Sequence, residues 1–127
     1  MAAGQRLRRV NEAIRQVLAE AIGRELADPR LELVTITEVR ATPDLRDARV
    51  FFTTLDPRRR EGSRRALESA RGILQARVAA ALGTRQTPHL SFVYDELQQR
   101  AQRLSRLIDE VAPKAGSPGD AGTEDAG

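Results

Sequence analysis

Residues 6–27 carry the pattern that most restricts the fold. Leu7, Val10, Ile14, Val17, Leu18, Ala21, Ile22 and Leu26 recur at spacings of three and four, with Arg8, Glu12, Arg15, Glu20 and Arg24 between them. That period belongs to a helix with one apolar side. Such a helix must lay its stripe on a second apolar layer, which the rest of the chain has to supply. The stripe stops at Asp28-Pro29, where the residue before proline is driven out of the α region.

The second layer reads as strands. Residues 47–55 alternate, with Ala48, Val50 and Phe52 on one face and Arg49, Phe51, Thr53 and Leu55 on the other. Residues 33–41 form a partner strand whose parity changes between Val34, Ile36 and Val39, Ala41. A bulge near Thr37-Glu38 restores a single apolar face. "TPDLRD" at 42–47 supplies turn residues, so the pair is expected to be an antiparallel hairpin. "DPRRREG" at 56–62 reads as a loop and residues 63–83 as helical. "HLSFVYD" is a third strand, with Leu90, Phe92 and Tyr94 on one face. Asp95 with Gln98 makes a capping box for a last helix over 96–111, with a thin apolar stripe of Leu97, Leu104, Leu107, Ile108 and Val111. The order is helix, strand, strand, helix, strand, helix: an α+β fold with helices on one face of a small sheet.

One residue interrupts the scheme. Gly72 stands inside the helical stretch 63–83, where glycine costs about 1 kcal/mol relative to alanine. With Leu74 at the centre of the buried side, Gly72 falls about 160° away at 100° per residue. It lies among the small residues Ser69, Ala76, Ala79 and Gly83. Three readings stay open: a kink splitting the segment in two, a small-residue strip that lets a nucleic-acid backbone approach, or a tolerated glycine on a solvated face.

Composition narrows the function. The 127 residues suit one domain, expected over 1–111. Residues 112–127, "APKAGSPGDAGTEDAG", offer almost nothing to bury and are expected to be a disordered acidic tail rich in Pro and Gly. Residues 1–108 hold 20 arginines against 13 acids, a net +7, while 109–127 hold five acids and one Lys. A basic body beside an acidic tail is a layout common among nucleic-acid binders. There is no cysteine and only His89, which leaves little for a metal site or a nucleophile–base pair. Glycine-rich phosphate loops are absent. Asp28, Asp44, Asp56 and Asp95 all fall where caps and turns account for them. A non-enzyme without metal, cofactor or small-molecule substrate is expected. No apolar run reaches membrane-spanning length and the N-terminus lacks an apolar leader region, so a soluble cytoplasmic chain is expected.

Four separated segments give the set a further meaning. "RRVNEAI" and "RELADPRL" in the first helix and its exit, "VRATPDLRDARVFF" in the hairpin, and "RQTPHLSFVYD" at the third strand resemble the ribosome-binding factor A family. Val39, Asp44, Leu45, Ala48 and Val50 are placed as in that family, as are Arg85, Pro88, Leu90, Phe92 and Asp95. Ala70-Arg71-Gly72 looks like its Ala-x-Gly interhelical kink. The resemblance covers about residues 6–111. It implies a type II KH-like domain, helix-strand-strand-helix-kink-helix-strand, followed here by a C-terminal helix. In such a family the kink, at Ala70 and Gly72, replaces the GXXG loop with which KH domains grip nucleotides.

By resemblance the chain is expected to bind free 30S ribosomal subunits and 16S rRNA near the 5′-terminal helix. It would assist late 30S maturation and 16S rRNA processing as a monomer. Arg58, Arg59 and Arg60, then Arg64, Arg65 and Arg71, with Arg77 and Arg85 toward the third strand, are the expected RNA-binding residues. A run of this kind also occurs as a plain solvated surface. Two other functions remain compatible with the residues: a general KH-like RNA chaperone, or a protein–protein adaptor that docks through the small strip and the last helix.

Overall fold

In the computed structural model, residues 2–83 and 86–111 are described. The expected tail at 112–127, and Arg85, lie outside them. The first helix, α1, runs Ala2–Arg24, starting earlier and ending sooner than its apolar stripe suggests. Leu26 still packs against the core although it lies past the helix. Asp28 does not end α1. It caps a separate 3₁₀ turn, Pro29–Leu31, by accepting from the Arg30 N–H, and that turn drops Leu31 into the core.

Strands β1 (Thr35–Ala41) and β2 (Asp47–Thr53) form the expected hairpin. The register shifts between Ile36 and Glu38, which leaves Thr37 as the extra residue. The bulge returns Ile36, Val39 and Ala41 to one buried face opposite Phe52, Val50 and Ala48. Strand β3 (His89–Tyr94) pairs with β2 in parallel, so the sheet order is β1-β2-β3 with β2 central. Parallel neighbours need a long crossover. It is supplied by α2 (Arg60–Ser69) and α3 (Arg71–Leu82).

Residues 56–62 are not a loop. Asp56 caps a 3₁₀ turn, Pro57–Arg59, which leads directly into α2. Proline at the first position of that turn has no N–H to leave unsatisfied, so the stretch suits a helical start. Three helices supply one side of the core: Ile14, Leu18, Ala21 and Ile22 of α1, Ala66 and Leu67 of α2, Leu74 and Val78 of α3. They meet Val50, Phe52, Leu90 and Phe92 of the sheet, and Phe52 packs edge-on against Tyr94 at 5.5 Å. Aliphatic residues therefore fill most of this core, as the scarcity of aromatics requires.

The last helix, α4 (Glu96–Val111), starts where expected. Asp95 caps it by accepting from the Gln98 N–H at 2.9 Å, and its other carboxylate oxygen accepts from the bulge residue Thr37 at 2.6 Å. The expected apolar stripe does not pack inward. Leu97, Leu104, Leu107 and Ile108 are all exposed, while Gln99 faces the sheet. No helix among the described residues is long and apolar enough to cross a membrane.

Candidate nucleic-acid interface

The helical crossover breaks at Ala70. This residue adopts φ −88° and ψ 2°, in the sparsely populated bridge region. Its N–H still reaches the carbonyls of Ala66 and Leu67 at 3.0 and 3.1 Å, and its carbonyl accepts from the Leu74 N–H at 2.9 Å. Both backbone groups of Ala70 are thus satisfied at the break. Ala70 is buried. Gly72 sits inside α3 rather than in the break, does not use positive φ, and would place a Cβ in open space. Of the expected outer strip, Ser69, Gly72, Ala76 and Gly83 are exposed and Ala79 is half-buried.

The arginines before and after this break divide by what they touch. Asp56 accepts from both the backbone and the side chain of Arg58, and its carboxyl is held below the usual range mainly by that side-chain bond. Arg64 is clamped between Glu61 and Glu68. Arg65 shares Glu61 at a looser 3.7 Å. Arg60 lies over the Tyr94 ring at 5.7 Å and reaches Glu96 of α4 at 3.3 Å. Arg59 makes no side-chain ion pair among the described residues. The five arginines from Arg58 to Arg65 meet four carboxylates, Asp56, Glu61, Glu68 and Glu96, so the cluster keeps an excess of one positive charge.

Arg71 and Arg77 have different employment. Arg71 donates through Nε to the Leu90 carbonyl at 2.8 Å and lies over the Phe92 ring at 5.8 Å. One turn on, Gln75 accepts from the Leu90 N–H at 3.3 Å. Both groups of Leu90 on the outer edge of β3 are thereby satisfied by α3, which removes a pairing site that an edge strand would otherwise expose. Arg77 bridges to Glu25 at 2.7 Å and ties α3 to the exit of α1. Both side chains thus brace the scaffold.

Other arginines enter through the tertiary arrangement. The Arg60–Glu96 bridge sets the start of α4 beside the start of α2. Arg100 and Arg103 of α4 follow, with no ion pair among the described residues. Part of the sorting is written in the sequence. Arg64 has carboxylates three residues before and four after, whereas Arg103 has none within a helical turn on either side. The engagement of Glu96 by Arg60 is not readable that way. Neither is the use of Arg71. Surface ion pairs contribute only about 0–1 kcal/mol, so the paired arginines of α2 can exchange their carboxylates for phosphates. No cluster of three or more metal-binding side chains occurs among the described residues.

A mixed three-stranded sheet, helices on one face, and a broken helical crossover where KH domains carry their loop define a KH-like α+β domain. The family model for ribosome-binding factor A matches residues 6–108. A ribosome-binding factor A from Frankia casuarinae is 50% identical over 109 residues, which cover 85% of this chain and 65% of the relative. The chain thus spans less than two thirds of that relative's length. The crystal structure of ribosome-binding factor A from Thermus thermophilus is similar with a TM-score of 0.64 at 33% identity, over 69% of this chain and 93% of that one. A Thermus thermophilus homology model, fitted into a cryo-electron microscopy map of a 30S complex with that factor, has a TM-score of 0.55 at 34% identity. It covers 64% of this chain and 86% of its own. The chain belongs to the ribosome-binding factor A family.

Proposed function

We propose that this protein binds the free 30S ribosomal subunit by contacting 16S rRNA, and assists its late maturation and the processing of the 16S precursor near the 5′-terminal helix. Its place would be the cytoplasm and its bound form a monomer. The supporting observation is the similar Thermus protein placed in a map of a 30S complex. It is joined by a band of arginines on this chain in excess over its carboxylates. Binding proceeds without chemistry: guanidinium groups displace counterions from phosphates, and the rigid sheet-and-helix body fixes orientation. Occupying immature rRNA favours the conformation that fits the protein over its competitors. Arg58, Arg59, Arg60, Arg64 and Arg65 carry the contacts in this reading. Arg71 is spent on β3 and Arg77 on α1.

The test compares two sets of alanine variants on purified 30S subunits across several salt concentrations. Replacing Arg59, Arg60 and Arg65 should weaken binding strongly. It should also flatten the slope of log affinity against log salt by about 0.7–0.9 per lost phosphate contact. Replacing Arg24 and Arg46, on other elements, should do much less. Equal losses in both sets, or an unchanged slope in the first, would remove the band as the interface. Failure of the unaltered protein to sediment with free 30S particles would remove the ribosomal reading itself.

A further inference from the structure

Helix α4 is docked with its polar side toward the sheet. Gln99 is only 6% exposed, yet neither its amide nitrogen nor its amide oxygen has a hydrogen-bond partner. On the opposite side Leu97, Leu104, Leu107 and Ile108 are 78, 59, 47 and 58% exposed. At 100° per residue Leu104 and Ile108 fall within about 20° of Leu97, and Ala101 within about 40°. The spacing 97, 101, 104, 108 is the alternating four–three repeat of a helix-pairing seam. Arg100 and Arg103 lie on one side of the seam, about 60° and 120° from Leu97, with no ion pair among the described residues.

We propose that the outer face of α4 is a docking surface for a helix of another protein, one that presents aliphatic side chains bordered by Asp or Glu. The charge identifies the occupant. The seam is covered best by apolar side chains, and Arg100 and Arg103, with no ion pair among the described residues, favour carboxylates beside it. A second copy of α4 does not fit. The positions next to the seam are Arg100 and Leu107 on one side and Gln98 and Ser105 on the other. Neither a parallel nor an antiparallel copy brings a carboxylate opposite Arg100. Glu96, the nearest acid on its own helix, is held by Arg60. RNA does not fit either: four large aliphatic side chains find nothing to bury on a phosphate backbone, and residues 95–111 contain no aromatic ring on which a base could stack. The inference does not rest on ribosome binding.

The experiment uses the full chain with a photo-cross-linking residue in place of Leu104, expressed in cells. Cross-linked peptides are identified by mass spectrometry. The expected product is a different protein, cross-linked within one helical turn of Asp or Glu. It should be lost in the Arg100→Glu, Arg103→Glu background. In parallel, a synthetic helix with Leu and Ile in its seam and Glu in its flanks is titrated onto the purified protein. Affinity should fall about tenfold or more when the flanks are changed to Lys, and equally in the Leu104→Ser, Ile108→Ser variant. That variant changes exposed side chains only, so its melting temperature should hold. Equal binding of both helices, cross-linking to RNA, cross-linking to a second copy, or no cross-link would each overturn the proposal.

Discussion

At the scale of single residues, the two glycines of the α3 region behave in opposite ways. Gly72 lies within the helix with open space where a Cβ would stand. Gly72→Ala should therefore stabilise the protein by about 0.5–1 kcal/mol, through lower unfolded-state entropy and higher helix propensity. Gly83 ends α3 at φ 64° and ψ 27°, a left-handed position that caps the helix by donating to the Ala79 carbonyl. Gly83→Ala should destabilise by about 1 kcal/mol. Thermal melts of both variants check the pair, and a loss of stability in Gly72→Ala would restore a backbone role for that glycine. The sequence marked Gly72 as outward-facing, and it is. The kink expected at Ala70 and Gly72 falls at Ala70, and Gly72 lies just past it inside α3. Ala70 belongs to the buried core cluster while Gly72 is exposed, and burial depends on partners far along the chain.

At the scale of elements, the helix and strand periods were legible wherever one face meets the core. The parity change that marks the β1 bulge appears as read, and so does the alternation of β2 through Phe52, but Thr53, read onto the outer face, is buried. The 3₁₀ turns were missed, because their signal is a single Asp-Pro step that also serves as a helix stop. In α4 the period was legible and its direction was not. A stripe shows that a helix has two sides, not which one the body covers. Here Asp95 pins the start of α4 to β2 and to Thr37, and that orientation turns Gln99 inward. The buried amide is left unpaired, at a cost of about 1–3 kcal/mol for such groups. Gln99→Leu should accordingly raise stability by about 1 kcal/mol, read as an increased denaturation midpoint without a change in slope. A decrease would mean that the amide is hydrogen-bonded in solution.

At the scale of the whole molecule, the surface is laced with arginine–carboxylate pairs. Glu12, bonded to Arg15 and Gln16, is lowered to about 2. Asp28, Asp56 and Glu61 are lowered by their hydrogen bonds to Arg30, Arg58 and Arg64, and Asp44 chiefly by the Thr42 hydroxyl. Groups whose folded values are depressed add stability above their unfolded values, near pH 4, and lose it as pH falls. The melting temperature should thus hold down to about pH 5 and fall progressively toward pH 2, less steeply at high salt because these groups are exposed. A melting temperature that rises on acidification would contradict the pairing. The sequence by itself determined the helix and strand periods, the one-sided core, the absence of thiol chemistry and the excess of arginine, because each is local or compositional. Only the tertiary structure decided that β3 joins β2 in parallel, that Arg71 serves the edge of β3, and that Arg60 draws α4 beside α2. It also turned the apolar side of α4 to the solvent. These outcomes depend on which surfaces meet across tens of residues, and neither period nor composition encodes that.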